Sequence, residues 1–459
     1  MLNFAMRGVK QLHFVGIGGA GMCGIAEVFH TLGFVVTGSD AKASEVTDRL
    51  SQQGIKVFIG HDAQNIAEAD AVVVSTAIDL ANPEILVAKE KGLPVLRRAE
   101  MLAELMRFKY GIAVSGTHGK TTVTSMMAFI FTQAGLDPTY VIGGKVKQFD
   151  HNAKLGKGQY FIAEADESDA SFLHLSPMAA VITNIGEDHM QTYAGDVSQL
   201  EQAFYDFAMR LPFYGFLVGC SDDARVKKIM DKLPRKSFSY GVNKDADYCF
   251  YDYKIQQGVA YFSVKINGVS YSFQSPLPGQ HNVENAVVAI AVSHQLGIEI
   301  KDIQNGLKNF PGIARRFDRY EDVEVNGKFI DIVDDYGHHP VEMDATIQSV
   351  RDLYPKRRMV YVFQPHRYTR TQSLFNELIA SLEKVDELIL LDVYPASEEL
   401  IEGACSSDLQ KALESNGKKC QLVKNAEEAY KTIKPLIKNN DVLVIQGAGD
   451  VARLLGFIN

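Results

Sequence analysis

The chain has 459 residues, 46% of them hydrophobic and 22% charged, and a formal net charge of -9. That length outgrows a single core, so about two to four domains of ordinary globular composition are expected. The acidic balance argues against broad affinity for nucleic acid or an anionic membrane, and five cysteines without a CxxC pair argue against zinc or a disulfide framework. No apolar run approaches ~20 residues, so no membrane insertion is expected and the compartment reads as reducing and cytoplasmic.

Residues 11–15 read as a strand running into Gly16-Ile17-Gly18-Gly19-Ala20-Gly21, then a helix from Met22 to Thr31 that Gly33 stops. A second strand, 34–37, ends at Gly38-Ser39-Asp40. Strand, glycine turn, helix and an acid about 20 residues on form the pattern that seats a diphosphate on a helix N-terminus. NAD satisfies it with Asp40 as ribose ligand, and a nucleotide sugar diphosphate uses the same dipole. Further strands are expected at 56–59 and 71–75. Ser75 and Thr76 close the second of these, where either a ligand contact or a helix cap suits them. His61 lies in a loop, open to a surface role or a ligand contact. The first domain is expected to span 1–109.

The second, 110–313, opens with a strand at 112–115 and the turn Gly116-Thr117-His118-Gly119, followed by Lys120-Thr121-Thr122 at the start of a helix. Backbone N–H groups, the helix dipole and a lysine charge make a phosphate cradle, with the Thr121 hydroxyl available to Mg2+. Val114 stands where the usual P-loop has glycine. A strand at 160–165 delivers Glu164, placed to hold Mg2+ against phosphates, and another at 179–183 leads to His189, again just past a strand end. A lone histidine is usually structural, but three such strand ends converge on one crevice. Residues 248–273 alternate around Gly258 and Asn267-Gly268 as an antiparallel meander. Asn282 and Asn285 then sit on one face near a helix start; the first suits a cap, the pair suits a nucleobase.

A third domain, 314–459, alternates strand and helix again, with helices at 340–353, 374–382, 408–415 and 426–437 between strands at 329–333, 359–363, 387–392 and 442–446. Arg315-Arg316 lies at the domain seam, a natural position for a phosphate clamp. Asp334-Asp335-Tyr336-Gly337-His338-His339-Pro340 and Gln364-Pro365-His366-Arg367-Tyr368-Thr369-Arg370 stand at consecutive strand ends, where an α/β domain places a site.

These stretches together resemble the Mur ligases, ATP-dependent amide-forming enzymes of bacterial peptidoglycan synthesis, and within them the alanine-adding branch. The resemblance runs over nearly the whole chain. It rests on 13–22, 116–122, 164–169, 334–340 and 364–371 in that order. It implies three α/β domains: an N-terminal Rossmann-like domain for the UDP substrate, a central P-loop-type mononucleotide-binding domain with antiparallel strands, and a C-terminal Rossmann-like domain for the amino acid. Gly16, Gly18, Gly19, Ala20, Gly21, Met22, Asp40, His61, Ser75 and Thr76 would then hold the UDP part of UDP-N-acetylmuramate. Gly116 to Thr122 would cradle ATP, with Asn282 and Asn285 at adenine and Arg316 at the phosphates. Thr121, Glu164 and His189 would serve Mg2+. Tyr336, His366, Arg367 and Arg370 would line the L-alanine pocket. Lys120, His189 and Arg316 would carry the chemistry, and Asp335 and His338 are candidates for the amine base. The chemistry implied is an acyl phosphate attacked by an amine, in a monomer or homodimer that closes over its substrates. Two rivals stand beside it: the recycling ligase that adds a preformed peptide to the same sugar, and a nicotinamide-dependent dehydrogenase built on Gly16 to Gly21.

Overall fold

The computed structural model describes residues 6, 8–75, 77–107, 109–144, 146–149, 152–396 and 398–458, and in it three sheets follow one another along the chain. Contacts group the chain into two compact units. One runs as far as Tyr253 and adds Tyr261–Ser275 and Glu284–Pro311; the other holds Lys254–Ala260, Pro276–Val283 and the chain from Gly312.

The first sheet is built from β1 (Gln11–Val15), β2 (Val35–Asp40), β3 (Lys56–Ile59), β4 (Ala71–Val74) and β5 (Val95–Arg97), all parallel, in the order 3-2-1-4-5. Helices α1 (Ala20–Thr31), α2 (Glu45–Gln52) and α3 (Pro83–Glu90) connect its strands, a 3-10 turn at Ala63–Ile66 joins β3 to β4, and α4 (Arg98–Met106) leads from β5 to the next sheet. The order reverses at β1, so the ends of β1, β2 and β4 open onto one crevice, where such sheets bind ligands.

The central sheet has ten strands. In chain order these are β6 (Tyr110–Ser115), β7 (Thr139–Val141), β8 (Ala153–Lys154), β9 (Tyr160–Glu164), β10 (Ala179–Ile182), β11 (Phe216–Cys220), β12 (Lys236–Gly241), β13 (Tyr248–Gln256), β14 (Val259–Ile266) and β15 (Val269–Ser275). Across the sheet the order is 15-14-13-12-11-10-6-9-7-8. The strands β13, β14 and β15 lie side by side, and Gln257-Gly258 and Asn267-Gly268 carry successive positive φ values. That backbone is the two-residue hairpin turn the Asn-Gly pair foretells. Helix α5 (Lys120–Gln133) is buried all round from Thr121 to Phe131, which explains why its sequence lacks a polar face. Around the sheet lie α6 (Val197–Met209), α7 (Ala224–Lys232), α8 (Gln280–Gln295) and α9 (Ile300–Lys308).

The last sheet contains β16 (Asp318–Val325), β17 (Lys328–Asp335), β18 (Met359–Phe363), β19 (Glu387–Leu391), β20 (Gln421–Val423) and β21 (Val442–Gln446), ordered 16-17-21-18-19-20. Only β16 runs antiparallel to its neighbour. Helices α10 (Pro340–Leu353), α11 (Tyr368–Ser373), α12 (Phe375–Leu382), α13 (Ser406–Ser415), α14 (Ala426–Leu436) and α15 (Leu454–Ile458) complete it. Apolar side chains from both faces form two separate cores, one around Tyr361 and Phe363 and one around Val360 and Val362. Alternation along a central strand requires that division.

Candidate functional site

At the first crevice, Gly16 turns with φ 78°, and its N–H and that of Ile17 both donate to the Ser39 carbonyl at 2.8 and 3.0 Å. The Asp40 carboxylate accepts the Gly18 N–H at 2.9 Å; a Cβ on Gly18 would lie 2.8 Å from that oxygen, so only glycine permits the contact. Gly19 is the N-cap of α1 and Ala20 its first residue. Met22 buries its side chain in the core and contributes only its amide to the turn. Ser75 follows β4 and caps its own loop, accepting the Ala77 N–H at 3.4 Å; Thr76 lies outside the described residues. His61 is not a free loop histidine: its Nδ1 sits 3.0 Å from Glu84 Oε2. Burial alone would raise the Glu84 carboxyl, but the nearby His13 ring and hydrogen bonds from Ser39 and Asn65 outweigh it and bring it to about 2. Gly21 leaves room for Arg98, which reaches within 3.9 Å of Asp166 in the central domain's acidic run.

At the second crevice, the register sets Val114 beside Glu164 and Ser115 beside Ile182. Strands β9, β6 and β10 therefore end together, delivering Glu164, the cradle and the loop to His189 at one sheet edge. Gly116 adopts φ 132°, and a side chain there would run into Thr183 and the Asn184 N–H. The loop is braced from β10: Thr117 N–H donates to the Asn184 carbonyl at 3.0 Å, His118 N–H to Asn184 Oδ1 at 2.9 Å, and Thr183 Oγ1 to the His118 carbonyl at 2.6 Å. Gly119 caps α5 with φ 87° and faces the Asn285 amide. Asn282 instead donates to the Pro278 carbonyl at 2.8 Å. The His189 backbone takes φ 54°, and its carbonyl accepts the Thr192 N–H.

Lys120 Nζ donates to the Gly116 and Thr117 carbonyls and to Glu167 Oε1 at 3.0 Å. Burial works against its charge, but Glu167 and Asp166 outweigh that and hold its pKa above the ordinary lysine value. Burial pushes Glu167 up to about 7, against the pull of Lys120. Thr121 and Thr122 are buried at the head of α5, and the Glu164 carboxylate accepts the Gly143 N–H at 2.7 Å. Hydroxyl and carboxylate oxygens at one strand edge are the hard donors that suit Mg2+. Glu167 belongs to the acidic run already visible in the sequence, but nothing there distinguishes it from Glu164 or Asp166.

In the C-terminal domain Asp335 pairs with Gln446 in register, and Gln446 with Phe363. The polar clusters after β17 and β18 thus flank the end of β21. Asp335 is buried and committed: Oδ1 accepts from Gly337 N–H and Gln446 Nε2, Oδ2 from Phe317 N–H at 2.7 Å. Burial raises its pKa despite Arg316. Both guanidinium groups of the arginine pair lie over the Tyr336 ring, Arg315 at 5.3 Å and Arg316 at 5.1 Å; Arg315 also reaches Asp334 and the Gly447 carbonyl. From Tyr336 a chain of rings continues through His338 at 5.7 Å and His366 at 5.3 Å to Tyr394 at 5.5 Å. Arg370 Nη1 lies 3.2 Å from His366 Nδ1, and Arg367 takes φ 70° with its N–H on the Tyr394 carbonyl. Burial lowers both His338 and His366 to about 4, so both rings are neutral near pH 7. Glu342, unremarked in the sequence, receives the His338 and His339 N–H groups and faces Arg316 at 3.8 Å. The capping pattern of a residue before Pro340 with an acid three positions on was the available signal.

Three family models match in order: the Mur ligase family catalytic domain over residues 11–110, the Mur ligase middle domain over 114–293, and the model described as Mur ligase, glutamate ligase domain over 315–449. A UDP-N-acetylmuramate--L-alanine ligase from Hydrogenovibrio crunogenus is 50% identical over 449 residues, 97% of this chain and 97% of the relative. Among solved structures, the UDP-N-acetylmuramate-alanine ligase of Thermotoga maritima is 28% identical with a TM-score of 0.83, covering 97% of this chain and 98% of its own. A murein peptide ligase from Psychrobacter arcticus shares the fold at 24% identity and a TM-score of 0.72, over 98% of each chain. Since the matched domains together span most of the chain and one relative aligns end to end at half identity, the chain belongs to the Mur ligase family.

Proposed function

We propose that this protein is an ATP-dependent ligase that joins L-alanine to the carboxylate of UDP-N-acetylmuramate, giving ADP and phosphate, in the cytoplasmic stage of peptidoglycan synthesis. The observation that carries the phosphoryl-transfer part is the shared edge of β9, β6 and β10, which sets Lys120, Thr121 and Glu164 at neighbouring strand ends. The 50% identity to a ligase of that name supports the choice of alanine. A dehydrogenase reading leaves this edge without a task, and the peptide-adding ligases are matched at 24 and 27% identity, against 50% for the alanine-adding relative.

In the first step a substrate carboxylate oxygen attacks the γ-phosphorus of ATP, the bond to ADP breaks, and an acyl phosphate forms. Lys120 neutralises charge on the phosphates by exchanging the Gly116 and Thr117 carbonyls for phosphate oxygens. Thr121, Glu164 and His189 would hold Mg2+, with Asp166 and Glu167 beside them. When bound, the metal supplies positive charge against the transferring group. Asn285, already against the cradle, and Asn282 serve adenine, and Arg316 serves the phosphates.

In the second step the alanine amine attacks the acyl carbon, phosphate leaves with the bonding electron pair, and the nitrogen gives up a proton. Arg370, Arg367, His366 and Tyr336 receive the amino acid and its carboxylate. His338 suits the proton better than Asp335. Its Nδ1 lies 3.2 Å from the Tyr336 carbonyl, which leaves Nε2 of the neutral ring as an acceptor, whereas both Asp335 oxygens are already occupied. Gly16 to Met22 and Asp40 take the UDP part. A product assay offering L-alanine and tripeptide in parallel tests the assignment. Ligation of L-alanine supports it, and ligation of tripeptide alone overturns it.

A further inference from the structure

The first domain holds a buried carboxylate that the proposed chemistry does not use. Glu84, the second residue of α3, is fully buried and accepts from Ser39 Oγ at 2.6 Å and Asn65 Nδ2 at 2.7 Å. His61 Nδ1 lies 3.0 Å from both Ser39 Oγ and Glu84 Oε2, and His13 Nε2 approaches Oε1 at 3.6 Å. Ser39 has one hydroxyl proton and gives it to Glu84, so it can only accept from His61. An ionised carboxylate likewise only accepts. Nδ1 of the His61 ring therefore carries a proton, and Nε2 is the acceptor when the ring is neutral.

Ser39 also connects this network to the glycine turn. While its hydroxyl is fixed by Glu84, its carbonyl accepts the Gly16 and Ile17 N–H groups, and the adjacent Asp40 accepts that of Gly18. One buried carboxylate thereby governs both the turn and the tautomer of a nearby histidine. Carboxylates that orient a histidine through one ring nitrogen set what the other nitrogen can do.

We propose that Glu84 is a positioning residue for nucleotide recognition, holding the glycine turn through Ser39 and presenting His61 Nε2 as acceptor for an N–H or O–H donor of a nucleoside diphosphate. This rests on reading the Gly16 to Gly21 turn as the UDP site. The test is calorimetric titration of the full-length protein with UDP. Glu84→Gln and Ser39→Ala are expected to weaken UDP binding about tenfold each, with KM for ATP and L-alanine unchanged. In Glu84→Gln, nitrogen NMR of His61 is expected to show the proton moved to Nε2, because a glutamine amide can donate to Nδ1. Asn65→Ala removes a partner on the other carboxylate oxygen, so it is expected to lower stability while leaving UDP affinity intact. A base-methylated UDP and a dideoxyribose UDP identify the donor, since the analogue lacking it binds the wild type as weakly as the variants bind UDP. Wild-type affinity in Ser39→Ala and Glu84→Gln, or equal weakening in Asn65→Ala, overturns the proposal. A wild type that does not bind UDP overturns the reading of the turn itself, and the proposal with it.

Discussion

Lys120 is half-buried and held by two carbonyls and Glu167, and the role proposed for it is to exchange these oxygens for phosphate oxygens. Lys120→Ala is expected to lower ligation about a hundredfold or more while sparing UDP-sugar binding; phosphate release near the wild-type rate would remove Lys120 from the chemistry. Arg370 contacts His366 within the C-terminal ring cluster, and Arg370→Ala is expected to raise KM for L-alanine about tenfold, with an unchanged alanine response as the contrary result. At this scale the sequence displays residues whose role depends on a local pattern: the cradle Gly116 to Thr121 is one continuous stretch. Glu84 has no such pattern, because Ser39, His61 and Asn65 stand 45, 23 and 19 residues away. Nor does the sequence tell Arg315 from Arg316: both lie over the Tyr336 ring, but Arg315 pairs with Asp334 while Arg316 faces Glu342.

Elements whose apolar pattern is closed at both ends are read to the residue: Lys56–Ile59, Pro340–Leu353, Met359–Phe363 and Val442–Gln446. Strand β16 escapes because Asp-Arg-Tyr-Glu-Asp-Val-Glu-Val carries charge throughout, which an edge strand tolerates and a buried one would not. The glycines after β21 look like a simple strand end in the sequence, yet Gly447 takes its N–H to the Asp335 carbonyl at 3.1 Å and so belongs to the site. Packing between elements is also hidden. Gly306 in α9 meets α5 so closely that a Cβ would sit 2.9 Å from Ile130 Cα, a backbone atom that cannot turn aside. Gly306→Val is therefore expected to destabilise the protein by about 1–3 kcal/mol, read as a lower midpoint in denaturant, and an unchanged midpoint would contradict that packing.

Over the whole molecule, the α/β alternation and three sheets follow from repeated strand, turn and helix signals. The titratable groups are distributed unevenly. Burial lowers His281, His338 and His366, all in the unit that includes Gly312 onward, from 6.5 to about 4. Their contribution to stability is complete above pH 6.5 and is lost as pH falls towards 4, because the unfolded chain takes up protons first, while Asp334 in β17, raised by burial from 3.8 to about 6, works the other way and offsets part of that loss. Glu84, in the other unit, falls from 4.5 to about 2, so its contribution persists down to pH 4.5 and is lost only below it. Hydrogen exchange across a pH series is expected to show the C-terminal sheet losing protection between pH 6.5 and 4 while β1 and β2 keep theirs; simultaneous loss in both would contradict this. The central claim is that the cradle activates a carboxylate for L-alanine. It is tested most directly by phosphate release from ATP with Mg2+ and UDP-N-acetylmuramate, screened across amino acids. Release that requires the UDP sugar and rises with L-alanine above all others is predicted. Release independent of amino acid, or nicotinamide-linked turnover without ATP, would contradict it.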